Sequence, residues 1–170
     1  MVERKIGLFA GVFDPIHLGH THFVKQAIKD KRLDRVYILI EQEPQYKTGT
    51  ASYEDRKNMV MLAVKTIPQA EVYESSSPYF PITSSLPDIK KAEPDAKLYL
   101  LIGDDVAAHL NEWQDKEALN DVELIVAARG REEPQTELSS LKIRKELADT
   151  GESAGLDPAV LEYCRAKDLY

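Results

Sequence analysis

Ten consecutive residues, Gly11-Val12-Phe13-Asp14-Pro15-Ile16-His17-Leu18-Gly19-His20, carry two imidazoles three positions apart, with a glycine just before the second. The segment directly follows an apolar, β-branched run at residues 6–10 that reads as a strand. With a helix beginning near Leu18, His20 lies in its first turn and His17 just before it. Both rings can then approach one anion at the positive end of the helix dipole. Gly19 has no side chain, so a phosphate can come close to the backbone there. The chemistry that suits this geometry is the handling of a polyphosphate.

The same pair of histidines fits other roles. Two histidines three apart can bind a metal, although neither His22 nor His109 stands at an obvious spacing to complete a ligand set. They can also be satisfied structural residues. A dinucleotide fingerprint is unsupported because the turn lacks G-x-G-x-x-G, and no G-K-[ST] exists for a P-loop.

A second segment with matching chemistry lies far along the chain, Leu138-Ser139-Ser140-Leu141-Lys142-Ile143-Arg144. A serine-capped helix start presents backbone N–H groups to an anion, and Arg144 can reach phosphate oxygens with two parallel donors. Taken alone, the segment reads equally as a capped helix with a solvated arginine.

These two segments must be positioned by the elements between them. Apolar runs at residues 6–10, 36–40, 71–73, 98–102 and 123–128 alternate with stretches of helical period, a β-α-β-α rhythm. Strands apolar on both faces belong to a parallel sheet covered by helices on each side, so the expected class is α/β. Ser52-Tyr53-Glu54-Asp55 is a capping box that opens a helix running to about Thr66. Ser139 and Ser140 precede a helix that Gly151 ends, and Asp157-Pro158 opens a last helix over residues 158–166. The connectors 41–51 and 74–87 read as long loops, the kind that cover or complete a site. No internal repeat or linker interrupts the chain, so one domain over residues 1–170 is expected.

Composition narrows the function classes. With 43% apolar and 30% charged residues the chain has the makings of a packed core and not of general disorder. Lys and Arg number 22 against 29 Asp and Glu, a formal charge of −7, which lacks the basic footprint of a nucleic-acid binder. Phosphate chemistry must therefore rest on a few local donors. Cys164 is the only cysteine, which excludes an intramolecular disulfide and a cysteine-rich zinc site. The apolar run at residues 6–13, broken by Gly7 and Gly11, is too short to span a membrane, and no signal-type cleavage site follows it. A cytoplasmic protein without a membrane partner is expected; a homo-oligomer is compatible with the sequence, which leaves oligomeric state open.

Taken together, the two segments resemble the H-x-G-H nucleotidyltransferases, which combine G-x-F-D-P-x-H-x-G-H with a later S-S-x-x-I-R. The nicotinate-mononucleotide adenylyltransferase branch is the most similar, through Arg56, Met59, Leu101-Ile102-Gly103-Asp104-Asp105, Trp113, and Val160 and Tyr163 followed by Leu169-Tyr170. The resemblance implies a single Rossmann-like nucleotidyltransferase domain, with a parallel sheet flanked by helices. It assigns catalysis to His17, His20 and Arg144. It assigns ATP binding to Gly11, Phe13, Gly19, Gly103, Asp105, Ser139 and Ser140, and acceptor binding to Lys47, Thr83 and Trp113. The implied partners are ATP, with Mg2+ held mainly by its phosphates, and a mononucleotide acceptor. Three departures stand out: Val12 replaces a family hydroxyl residue, Leu141 replaces a threonine, and residues 79–86 only faintly echo the acceptor segment S-Y-T-x-x-T-L.

The implied reaction is transfer of AMP from ATP to nicotinate mononucleotide with release of pyrophosphate. Adenylyl transfer to another phosphorylated acceptor, such as phosphopantetheine or a ribosyl phosphate, is the alternative within the enzyme class. A nucleotide-binding protein that has lost catalysis is the alternative outside it.

Overall fold

The structure, a computed structural model, describes residues 3–45, 47–78, 81–113, 116–127 and 138–170. Its strands are β1 (Lys5–Gly11), β2 (Arg35–Ile40), β3 (Ala70–Val72), β4 (Lys97–Gly103) and β5 (Val122–Ala127). All pair in parallel in the order β3-β2-β1-β4-β5. The expected third strand is displaced by one residue, although Tyr73 still donates its N–H to the Ile38 carbonyl at 2.9 Å. Ala128, expected in the fifth strand, and Tyr79 and Phe80 of the acceptor segment lie outside the described residues.

The period of two along β1 and β4 splits their side chains between two cores. Phe9, Tyr99 and Leu101 face helices α1 (Leu18–Lys31), α2 (Tyr53–Val64), α5 (Ser140–Thr150) and α6 (Pro158–Ala166), which contribute Val24, Met59, Ile143 and Val160. Ile6, Leu8, Leu98 and Leu100 face the other way, onto Ile82, Leu86 and Ile89 of helix α3 (Pro81–Ala92). A short helix α4 (Asp104–Ala108) follows β4 directly. Among the described residues no helix is long and apolar enough to cross a membrane.

One expectation is overturned. The stretch 74–87 is not a continuous loop, because α3 begins at Pro81 and passes through Pro87. Pro87 inside a helix costs about 3 kcal/mol. Against that, Ile82, Leu86 and Ile89 are spaced i, i+4, i+7 and are at most 1% exposed. Each such burial contributes about 1.5–3 kcal/mol, so the apolar stripe outweighs the proline. Thr83 therefore sits on a helix and not in a loop.

The order of strands puts the switch in connection direction between β1 and β4. Ligands of open α/β sheets bind in the crevice beyond the carboxyl ends of the strands at such a point. Gly11 ends β1 and Gly103 ends β4, so both open into that crevice.

Candidate active site

Beyond β1 the chain turns through Phe13, which has the left-handed φ of 52° that non-glycine residues seldom adopt. The turn folds the Phe13 ring back over Gly11, where an added Cβ would stand 3.0 Å from the ring. The ring is 5.2 Å, edge to face, from both Phe9 and His20. Asp14 is then buried, and the Asp14-Pro15 bond is cis.

His17 is the N-cap of α1, with extended backbone angles, and His20 is its third residue. The backbone N–H of His17 donates to Nδ1 of His20 at 3.2 Å. In the neutral ring that acceptor role leaves the proton on Nε2, so His20 presents an N–H donor from its far edge. The two imidazoles stack with centroids 3.6 Å apart and planes 22° from parallel.

The second segment closes onto the first. Ser139 caps α5 by accepting the Lys142 N–H at 3.2 Å. Ser140 donates its hydroxyl to the Pro15 carbonyl at 2.9 Å, across 125 residues of sequence. Arg144 donates through Nη1 to the Asp14 carbonyl at 2.7 Å. Leu18 N–H donates to the Gly155 carbonyl at 2.9 Å, beyond the end of α5. The starts of α1 and α5 thus open into one cleft.

That cleft has a volume of about 640 Å³, within the range of small-molecule sites. It is lined by Gly11, Phe13, His17, Gly19, His20, Lys47, Gly103, Asp105, Ser139, Ser140 and Arg144. Apolar walls come from Phe9, Phe23, Val106, Ala127, Leu138 and Leu141.

A sequence profile of the cytidylyltransferase-like family matches residues 8–146, a span that contains both segments. The chain belongs to the cytidylyltransferase-like family. It is a nucleotidyltransferase, and its relatives of matching length are named as adenylyltransferases. A probable nicotinate-nucleotide adenylyltransferase of Solibacter usitatus is 31% identical over 98% of this chain and 99% of its own length. One of Neisseria meningitidis is 29% identical, with 98% of each chain covered. Among solved structures, a Plasmodium falciparum nicotinic acid mononucleotide adenylyltransferase complexed with NaAD shares the fold. Its TM-score is 0.81 over 99% of this chain and 98% of that one, at 17% identity.

Within this cytidylyltransferase-like site, two of the residues singled out from the sequence lie elsewhere. Thr83 is partly buried on α3, and Trp113 packs against the core on the α3 face of the sheet. Neither lines the cleft. His22, weighed above only as a metal ligand, and Phe23 and Gln26, to which the sequence assigns no role, line it together with Gly19. Their i, i+3, i+4, i+7 spacing marks one face of α1 and was a usable signal. Thr48 and Thr50, beside Lys47, line it too.

The site also rests on a charged floor. Arg56, 1% exposed, donates from Nε to the Ala51 carbonyl and from Nη1 to the carbonyls of Val12 and Glu41. Its Nη2 donates to the Gln42 carbonyl at 2.9 Å. Burial pulls the Arg56 pKa down, while the nearby Asp14 charge favours the protonated form. One guanidinium thereby pins the loops after β1 and β2 together, with the Val12 carbonyl as one of its acceptors.

Proposed function

We propose that the protein transfers AMP from ATP to nicotinate mononucleotide, releasing pyrophosphate and forming nicotinate adenine dinucleotide. The observation that carries the nucleotide half is the convergence of two helix N-termini on one cleft, held by Ser140 and Arg144 bonding to the backbone of Pro15 and Asp14. The names of the two bacterial relatives support the acceptor.

ATP enters as its magnesium complex, the ion being part of the substrate. The start of α5 and Arg144 hold the outer phosphates, and His17, Gly19 and His20 meet the α-phosphate at the start of α1. Gly103 and Asp105 contact the ribose. An oxygen of the acceptor phosphate attacks the α-phosphorus in line. The new P–O bond forms as the bridge to the β-phosphate breaks, and pyrophosphate departs with that electron pair. The attacking oxygen is already anionic, so no general base is required; positioning and charge stabilisation carry the catalysis. Lys47 is the acceptor-side residue within the cleft, with Thr83 and Trp113 proposed to meet the acceptor beyond it.

Pyrophosphate release from Mg·ATP with a panel of phosphorylated acceptors tests this directly. Nicotinate mononucleotide is expected to be the strongest acceptor. A preference for phosphopantetheine or a simple ribosyl phosphate would reassign the acceptor, and no release with any would leave a nucleotide-binding protein.

Arg144→Lys is expected to raise the KM for ATP by about tenfold or more, because an ammonium cannot reproduce the planar fork. Initial rates at varied ATP check this; unchanged KM and kcat would reduce the α5 segment to a capped helix.

A further inference from the structure

The chain beyond α6 folds back under the phosphate loop, and none of the roles above uses it. Leu169 N–H donates to the Cys164 carbonyl at 2.9 Å, and Leu169 and Tyr170 pack against the core that α1, α2, α5 and α6 share. Asp168 and Tyr170 both have left-handed backbones, with φ of 52° and 74°. Such angles in non-glycine residues persist where the surroundings impose them, and they concentrate at functional sites. The turn they make delivers the Tyr170 hydroxyl to Oδ1 of Asp14, to which it donates.

Asp14, part of the histidine segment, is 3% exposed. Its Oδ1 accepts from Tyr170 and from the Ala51 N–H at 3.1 Å. Its Oδ2 faces the Arg144 guanidinium at 3.7 Å, too far for a hydrogen bond but close enough for attraction. Burial, together with the hydrogen bond to Asp14, pushes the Tyr170 hydroxyl well above the usual phenol range, so it remains a donor throughout the neutral range. The other nearby guanidinium, Arg56, is committed to four backbone carbonyls. Among the described residues, Arg144 is the guanidinium beside Asp14 that also lines the cleft.

We propose that Tyr170 is a positioning residue for the phosphate site: by satisfying the buried Asp14 carboxylate, it keeps that charge from drawing the Arg144 fork away from ATP. A buried carboxylate deprived of a donor takes the nearest available one. Without the Tyr170 hydroxyl, Asp14 closes on Arg144, and the guanidinium turns inward from the cleft. This inference rests on the nucleotide site proposed above.

The test is a double-mutant cycle on the full chain, read as the dissociation constant of Mg·ATP by calorimetric titration and as kcat and KM. Tyr170→Phe keeps the ring and removes the donor. It is expected to weaken Mg·ATP about tenfold, the scale of a hydrogen bond to a charged group, with the larger change in KM. In an Arg144→Ala background the same substitution is expected to change Mg·ATP affinity less than about twofold, because the competing fork is gone. Asp14→Asn is a second background, in which loss of the charge likewise removes the effect. Equal weakening in all backgrounds would overturn the proposal in favour of general packing. Unchanged affinity in Tyr170→Phe, while Arg144→Ala weakens binding, would overturn it and leave the nucleotide site standing. Unchanged affinity in Arg144→Ala would overturn both.

Discussion

Replacing His20 with alanine is expected to lower kcat by about two to three orders of magnitude, the cost of deleting one preorganised donor at a centre of developing charge. His20 is well placed for that role because its orientation is doubly determined. Its Nδ1 accepts the His17 N–H, and its ring is stacked on His17 and held edge to face by Phe13. A donor fixed in this way needs no reorganisation as charge builds on the phosphate. The substitution also removes a partner at the start of α1, but a lost cap costs only about 0.5–2 kcal/mol of stability. Activity and stability therefore separate cleanly. The expected variant is folded by circular dichroism, slightly less stable to urea, and nearly inactive at saturating ATP. A folded variant with near-parental kcat would sink the assignment of His20 to catalysis.

Arg56→Ala is expected to be the most destabilising single change in the site region, by about 3–5 kcal/mol, the range for removing one partner of a buried charged network. Four carbonyls from three stretches of chain lose their donor at once, and Asp14 loses a neighbouring positive charge. Carbonyls buried without partners carry a desolvation penalty that packing cannot refund. Arg56→Lys is expected to recover less than half of the loss, since an ammonium lacks the spread of a guanidinium whose nitrogens reach Ala51, Val12, Glu41 and Gln42 together. Urea unfolding followed by the midpoint at unchanged slope measures both variants. A loss below about 1 kcal/mol for Arg56→Ala would mean that water replaces the arginine there and the network is dispensable.

The resemblance tied Arg56 to the family without saying what the residue does. Nothing in a helix sequence tells a buried arginine from a solvated one, because its hydrogen-bond acceptors are main-chain carbonyls of other elements. The same holds for Asp14, which sits in the histidine motif but acts through partners at Ala51, Arg144 and Tyr170. Helix α3 was missed for a different reason. Two prolines and a run of serines outweigh, locally, a stripe of Ile82, Leu86 and Ile89 whose value depends on the sheet it covers.

What the sequence determined by itself was whatever depends on neighbours close along the chain. The strand runs, the serine cap of α5, its stop at left-handed Gly151 and the proline start of α6 all follow from local periodicity and capping. The pairing of the two phosphate-handling segments was legible only as a resemblance; that they meet was decided by the sheet order, which sets the end of β1 beside β4 and lets α5 close over the loop after β1. Tertiary structure likewise decided that Trp113 and Thr83 stand outside the cleft while His22 and Gln26 line it, and that Tyr170 reaches Asp14. The physical reason is that hydrogen bonds and burial between distant segments are fixed by the position of whole elements, and residue type alone carries no coordinate for its partner.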